Sequence, residues 1–496
     1  MLRILGSPLR AGSLRRRDLL RAGGLGLLAN SLSPFTAAAA TSAKNDDHGS
    51  TFGRAKACII LYLYGAPSQL ETYDPKPDAP LEIRGEFNSI ETALPGLRVC
   101  EHLPKLAKVV DRAAVIRSMV HPYNIHSAAY TLTGVPHVDV PMELNPHDSR
   151  HWPYIGSVLD YLAEQKGNSR TVGVPSSMGL PFKFSSRCAE FQRGGPYGGF
   201  LGAKYDPVWT EFEGASTRKV DRWRGNRDQN VDDPFLGISP RDRFVVSGEA
   251  KLPPEITLDR LDRRRTLLEQ LDAQRRDLHS AGSVQVHSRF QDMALELMTS
   301  NEIRAALDVQ SEDVTLREQY GMTLFGQATL AARRLVEAGT KIVTVFWDEY
   351  TTANSAWDTH FDHYPRLRHE LLPGLDGALS ALLLDLDNRG LLDTTLVACV
   401  TEHGRTPKIT NVRGAGREHW SRSYCGLLAG GGVRGGQVIG RSDEHASDVA
   451  ERPVSPKDVL ATMYHLLGVS PETMLRDRFG RPLPLVADGK LMREIV

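Results

Sequence analysis

Trp357-Asp358-Thr359-His360, Thr401-Glu402-His403-Gly404-Arg405-Thr406 and Gly416-Arg417-Glu418-His419-Trp420 concentrate carboxylates and imidazoles in three short segments late in the chain. Asp358 and His360 stand two apart, so they point the same way on a strand and can reach one ion from a loop. Glu402 and His403 are adjacent; in a strand they would face opposite sides, but Gly404 permits a turn that brings both to one place. The five N/O donors Asp358, His360, Glu402, His403 and His419 suit a divalent ion. Without a cysteine among them, zinc, manganese or iron fits better than a soft metal, with calcium a further candidate. The competing readings are a hydrogen-bonded Asp358/His360 pair and a surface His419 stacked by its neighbour.

Other residues carry chemistry less specifically. Arg405 could clamp an anion with its planar fork, or pair with Glu402 or Asp358. His121, His126, His137, His147 and His151 crowd one region without regular ligand spacing, and His126 is the one assigned a proton-transfer role. Ser127, at a predicted helix start, reads either as a nucleophile or as the helix cap. Lys204 and Tyr205 either line a substrate mouth or fix the loop that carries them.

The elements that must position these groups follow an α/β order. Residues 56–64 are a near-continuous apolar run ending in Gly65-Ala66-Pro67-Ser68, as expected of a buried first strand and its turn. A helix is predicted over 103–111, a strand over 113–119, and then a helix closed by Gly134. Strands resume at 341–347, 395–401 and 424–429, with helices at 326–338 and 371–387. Leucines at helical spacing predict further helices over 258–279 and 290–307. The Gly/Pro-rich stretch 193–207 is a loop. The resulting division is 1–40 targeting segment, 55–150 first part of an α/β core, 151–315 insertion or cap, and 316–496 second part of the core with the metal-type motifs.

Arg15-Arg16-Arg17-Asp18-Leu19-Leu20, a weakly apolar stretch and alanines at 37–40 read as a twin-arginine export signal, placing the mature protein in the periplasm or outside the cell. The alternative, a membrane anchor, is disfavoured because Gly and Ser interrupt a stretch shorter than the ~20 residues a span needs. Removing residues 1–40 takes six arginines and one aspartate from a balanced 60 and 60, leaving a mildly acidic chain with no nucleic-acid footprint. The five cysteines form no C-x-x-C pair; Cys58 and Cys399 fall in apolar runs and are predicted as core residues.

Strand, helix and strand with metal-type residues after each strand resemble the alkaline phosphatase and sulfatase superfamily. Within it, the mature chain resembles the twin-arginine-exported branch known as domain of unknown function 1501. The resemblance is carried by Gly65-Ala66-Pro67-Ser68, Tyr73-Asp74-Pro75-Lys76-Pro77, His126-Ser127, Leu132-Thr133-Gly134, Gly199-Phe200-Leu201-Gly202, Lys204-Tyr205-Asp206-Pro207 and the three late segments, including Thr406-Pro407. It implies a three-layer α/β sandwich around a mainly parallel sheet, with Glu402, His403, His419, Asp358 and His360 in metal-ligand places. Two departures stand out. Superfamily enzymes carry an aspartate at the end of the first strand, whereas this chain has Tyr64-Gly65, with Ser68, Gln69, Glu71 and Asp74 the nearest candidates. No Cys-x-Pro-x-Arg motif occurs, which excludes a formylglycine nucleophile.

Two functions follow as expectations. The first is a metal-dependent hydrolase of sulfate or phosphate esters, in which Ser127 or a metal-bound water attacks, His126 or His403 transfers a proton and Arg405 stabilises the developing charge, with an anionic ester or a sulfated or phosphorylated glycan as partner. The second is a catalytically silent exported scaffold that keeps the fold and binds a protein or glycan.

Overall fold

A computed structural model describes residues 51–135, 140–167, 173–188, 192–224, 227–247 and 300–496, besides an antiparallel pairing of Arg3–Ile4 with Ser7–Pro8. The chain divides into two units, Met1–His48 and Gly49–Val496. Arg16, Arg17 and the alanine run lie outside the described residues, as do His137, the predicted helix 258–279 and residues 290–299 of the next one.

The core of the larger unit is a nine-stranded sheet. Its strands are β1 (Ala57–Leu63), β2 (Ala113–Met119), β3 (Ser177–Leu180), β4 (Val208–Glu213), β5 (Arg243–Val246), β6 (Ile342–Trp347), β7 (Thr395–Val400), β8 (Tyr424–Ala429) and β9 (Gln437–Ile439), in the order β5-β4-β3-β6-β1-β7-β8-β2-β9. β4, β3, β6, β1 and β7 run parallel to one another, and β9 runs parallel to β2. β8 is antiparallel between β7 and β2, and β5 is antiparallel at one edge. Every residue of β1, β6 and β7 is buried, which is why these segments are continuously apolar instead of alternating.

Helices pack on this sheet from sequences with clear start signals. Ser127 caps α1 (Ala128–Thr133), which Gly134 closes in the left-handed conformation at φ 73°. α2 spans Ile155–Gln165. Thr323 caps α3 (Leu324–Glu337), which packs on β6 and on α4 (Leu372–Asn388). Ser455 and Asp458 form a reciprocal capping box at α5 (Pro456–Leu466), which packs against α1.

Two expectations are corrected. The 103–111 segment forms two short 3-10 turns, Leu106–Lys108 and Val110–Arg112, not one helix. The 151–315 segment is not a cap set apart from the core, because β3, β4 and β5 belong to it and extend the main sheet beyond β6. All five cysteines are free, and Cys58 and Cys399 are core residues. Among the described residues, no helix is long and apolar enough to cross a membrane.

Register brings the site together. Trp347 of β6 pairs with Leu63 of β1, and Val400 of β7 pairs with Tyr62, so the three central strands end nearly level. Their loops therefore emerge on one rim, the carboxyl edge where open α/β sheets hold ligands.

Candidate metal centre

Four segments meet on that rim. Trp357 is pinned by its N–H to the Tyr64 carbonyl (2.9 Å) and by edge-on packing against Trp347, which holds Asp358 and His360 over the end of β1. Thr401 bonds the Leu63 carbonyl at 2.8 Å and fixes the turn carrying Glu402 and His403. Gly404–Arg405 pairs antiparallel with His419–Trp420, a two-residue ribbon that sets His419 beside His403. His126 arrives from the loop between β2 and α1, its ring 4.2 Å from that of His419.

Each of the four imidazoles has its Nδ1 committed. His126 Nδ1 lies 2.7 Å from Glu402 Oε1, His360 Nδ1 2.5 Å from Glu418 Oε2, His403 Nδ1 2.8 Å from the Gly404 carbonyl and His419 Nδ1 3.4 Å from the Asn124 carbonyl. An imidazole that donates through Nδ1 presents a bare lone pair at Nε2, the tautomer that ligates metal. Three of these Nε2 atoms converge on Asp358 Oδ1, at 3.4 Å (His126), 3.0 Å (His360) and 3.7 Å (His419), while His360 Nε2 and His419 Nε2 stand 3.1 Å apart.

The donor set fits a divalent cation. Bonds of ~2.0–2.1 Å in tetrahedral geometry separate ligand atoms by about 3.3 Å, which these spacings straddle. The Nε2 atoms of His126 and His403 are buried without a hydrogen-bond partner, an expensive state unless something occupies the lone pair. His126, Asp358, His360 and His419 form one possible ligand group, and His126, Glu402 and His403 form another that shares His126. The first group is partly open to solvent, with the His360 side chain 33 % exposed, whereas Glu402 and His403 lie at the buried back of the site.

Charge is balanced within the cluster. Burial pushes the Asp358 carboxyl up, but Arg405, His126 and His360 outweigh it and hold it well below the usual range. Burial disfavours the His126 cation, yet Asp358 and Glu402 raise its pKa to about 9. The hydrogen bond to Asp358 raises His360, and burial lowers His419. Burial, with His126, Arg405 and His419 nearby, drives His403 well below the ordinary histidine value, so it stays neutral and available for ligation.

The five donors named from sequence all reach this rim, but in two tiers. Asp358, His360 and His419 join His126 at the front, while Glu402 lies behind His126 and also accepts the Gly65 N–H at 2.7 Å. His126, assigned a proton-transfer role from sequence, sits instead among the candidate ligands. Arg405 is fully buried and spends its donors inside the protein: on the Ala66 carbonyl (3.0 Å), the Arg417 carbonyl (3.1 Å), the Gly65 carbonyl and Asp358. It has no fork left for a substrate anion. Ser127 Oγ accepts the Tyr130 N–H at 3.2 Å, the geometry of a helix cap.

Gly65, at the end of the first strand, has no room for a side chain. Gly65 has φ 97°, and a Cβ there would lie 2.4 Å from the Asp358 nitrogen and 2.6 Å from that of Trp357. No side chain fits, and the Gly65 N–H binds Glu402 instead. None of the nearby candidates substitutes. Ser68 Oγ is buried without a hydrogen-bond partner, while its carbonyl accepts from Thr72 Oγ1 at 2.7 Å. Gln69 bonds Arg405 and Ala446, Glu71 pairs with Arg417 and His363, and Asp74 pairs with Ser442 and Lys76. Sequence reasoning also overlooked Glu418, although its place beside His419 was a signal, and the brace from His121 Nε2 to the Glu402 carbonyl at 2.6 Å. His147 is exposed and packs against the Tyr197 ring, and His151 bonds the Met142 and Asn145 carbonyls. Lys204 reaches Glu164 and covers the Tyr205 ring, fixing the 193–207 loop.

Fold and site thus define an α/β protein with a histidine-rich candidate metal centre at the carboxyl edge of its sheet. Residues 55–496 match the model of the family described as Protein of unknown function (DUF1501), and the chain belongs to that family. No curated protein matches the sequence. Among solved structures, it is similar to the crystal structure of Ps i-CgsB (12 % identity, 88 % of this chain and 75 % of that one, TM-score 0.39). It is also similar to the PsFucS1 sulfatase from Pseudoalteromonas sp. (11 %, 84 % and 68 %, 0.35) and to the phosphonate monoester hydrolase SpPMH from Silicibacter pomeroyi (11 %, 88 % and 76 %, 0.34).

Proposed function

We propose that the protein is an exported, metal-dependent hydrolase of sulfate or phosphate esters. One observation carries this reading: four imidazoles with committed Nδ1 atoms, three of them turning Nε2 toward one carboxylate oxygen on a solvent-reached rim. His126, Asp358, His360 and His419 would hold a divalent ion, which would supply Lewis acidity toward an ester oxygen. Glu402 and Glu418 orient His126 and His360. Arg405 acts as a positioning residue that fixes Asp358 against the Gly65-Ala66 turn. His403, whose proton affinity burial depresses, suits ligation better than general-base work at neutral pH. With Ser127 engaged as a cap, the attacking oxygen comes from water. Export rests on Arg16-Arg17 in the leading segment, and replacing both by lysine is expected to retain the precursor in the cytoplasm.

The test is turnover of 4-nitrophenyl sulfate and 4-nitrophenyl phosphate by protein loaded with zinc or manganese, with and without chelator. Chelator-sensitive hydrolysis of either ester is expected. A fully metal-loaded protein that hydrolyses neither favours the second reading, an exported binding scaffold, to which Gly65 in place of an aspartate also points.

A further inference from the structure

Glu71, Thr359, His363 and Arg417 contribute none of the candidate ligand atoms, yet they tie two of the ligand-bearing segments together. All four are at most 2 % exposed. Thr359 stands between Asp358 and His360, and Arg417 stands two residues before His419. Thr359 Oγ1 lies 2.7 Å from His363 Nδ1. His363 Nε2 lies 3.3 Å from Glu71 Oε2, and neither of these two atoms has another partner. Glu71 Oε1 accepts from Arg417 Nη2 at 2.5 Å. The Arg417 N–H donates to the Thr359 carbonyl at 3.2 Å, which closes the circuit.

The polarities along the circuit agree. The Thr359 hydroxyl donates to Nδ1 of a neutral imidazole whose proton, on Nε2, faces the carboxylate. Burial lowers the His363 pKa and so keeps the ring neutral. Burial pushes the Glu71 carboxyl up, but Arg417 and His363 outweigh it and hold it at about 2. Arg417 spends further donors on the carbonyls of Ile83 (2.7 Å), Thr406 (3.1 Å) and Pro407. A buried ion pair adds little net stability over apolar side chains of the same volume, and its best-attested use is to fix one arrangement of the elements that carry it. Here those elements are the loop with Asp358 and His360 and the ribbon with His419, whose facing Nε2 atoms stand 3.1 Å apart.

We infer that Glu71, Thr359, His363 and Arg417 are positioning residues that hold His360 and His419 at the spacing one metal ion requires, a role that rests on the metal-centre reading above. Glu71, one of the residues nearest the missing first-strand aspartate, thus acts from behind the two segments instead of on the ion.

The test uses the full chain stripped of metal. Zinc affinity is measured by chelator competition, and the His419 imidazole resonances are followed by NMR without metal, because His419 lies on the segment that Thr359 does not belong to. Thr359→Val keeps the shape of the side chain and removes the hydroxyl, and Thr359→Ser restores the hydroxyl. Thr359→Val and Glu71→Gln should each weaken zinc binding by about tenfold and shift the His419 resonances. Thr359→Ser should return both readouts close to wild type. Ile342→Val, a core truncation at the amino end of β6, controls for loss of stability alone and should change neither. If Glu71→Gln does not fold, the Thr359 pair decides. Zinc affinity within twofold of wild type in Thr359→Val, or an equal loss in Thr359→Ser or Ile342→Val, would overturn the positioning role. Wild type that binds no zinc removes the hydrolase reading by itself. Hydroxyl-dependent shifts of His419 would then keep the positioning of the two segments, and resonances unmoved by Thr359→Val would end that as well.

Discussion

His360 Nε2 and His419 Nε2 face each other across 3.1 Å, and each ring has its Nδ1 turned to an acceptor, Glu418 for His360 and the Asn124 carbonyl for His419. Two bare lone pairs at that distance repel, so the arrangement needs a proton or a cation between them. Asp358, 3.0 Å from His360 and on an oxygen shared with His126, favours a positive charge at that point.

The carboxylates behind the imidazoles are expected to matter without touching metal. Glu402→Ala removes the acceptor that fixes His126, and Glu418→Gln removes the charge behind His360. Each should lower metal affinity by about 10–100-fold. Chelator competition checks this, and affinity within twofold of wild type in both variants would reject the orienting role.

Gly65→Ala tests the close approach at the end of the first strand. The new methyl would meet the Trp357 and Asp358 backbone at φ 97°, so the variant should lose more than about 1 kcal/mol of stability together with much of its metal. Urea unfolding and metal analysis read the two effects. A variant as stable as wild type would mean the Asp358 loop is not fixed by this contact.

Ser127→Ala should cost about 0.5–2 kcal/mol through the lost helix cap while activity per folded molecule stays near wild type. Loss of turnover at full folding and metal occupancy would restore Ser127 as the nucleophile.

Asp348 gives a pH signature away from the cluster. Burial, opposed by the Ser185 and Glu349 N–H bonds, raises its carboxyl to about 8. The native state then holds a proton that the unfolded chain releases near pH 4, so this group's contribution is fully present below about pH 4. It is lost as pH rises to about 8, at no more than ~1.4 kcal/mol per pH unit. In chelated protein, Asp348→Asn should lose stability less steeply than wild type between pH 5 and pH 8. Parallel stability curves in urea would show that Asp348 is ionised in the native state.

Much of this was legible in sequence because burial on both faces writes itself as uninterrupted apolar runs. Residues 57–63, 342–347 and 395–400 were readable for that reason, as was the Gly134 cap. The donors Asp358, His360, Glu402, His403 and His419 were legible by residue type. Their two tiers were not, since which imidazole nitrogen faces inward depends on partners as distant in sequence as His126 and Glu402. Arg405 illustrates the same limit: a guanidinium after His403-Gly404 reads as an anion clamp until the Gly65 and Ala66 carbonyls are seen to consume it. The membership of β3, β4 and β5 in the main sheet was hidden because Ser177–Leu180 and Arg243–Val246 are too short to stand out from loop.

The central claim is that the converging imidazoles hold a metal ion. Elemental analysis of the full chain purified after native export, beside His360→Ala and His419→Ala, tests it most directly. Wild type should carry about one equivalent of zinc, manganese, iron or calcium per chain. Each variant should lose most of it and melt at a lower temperature, because an ion bound only by the folded state stabilises that state. A folded wild-type protein that carries no metal and takes up none from solution, or variants that retain it in full, would contradict the account.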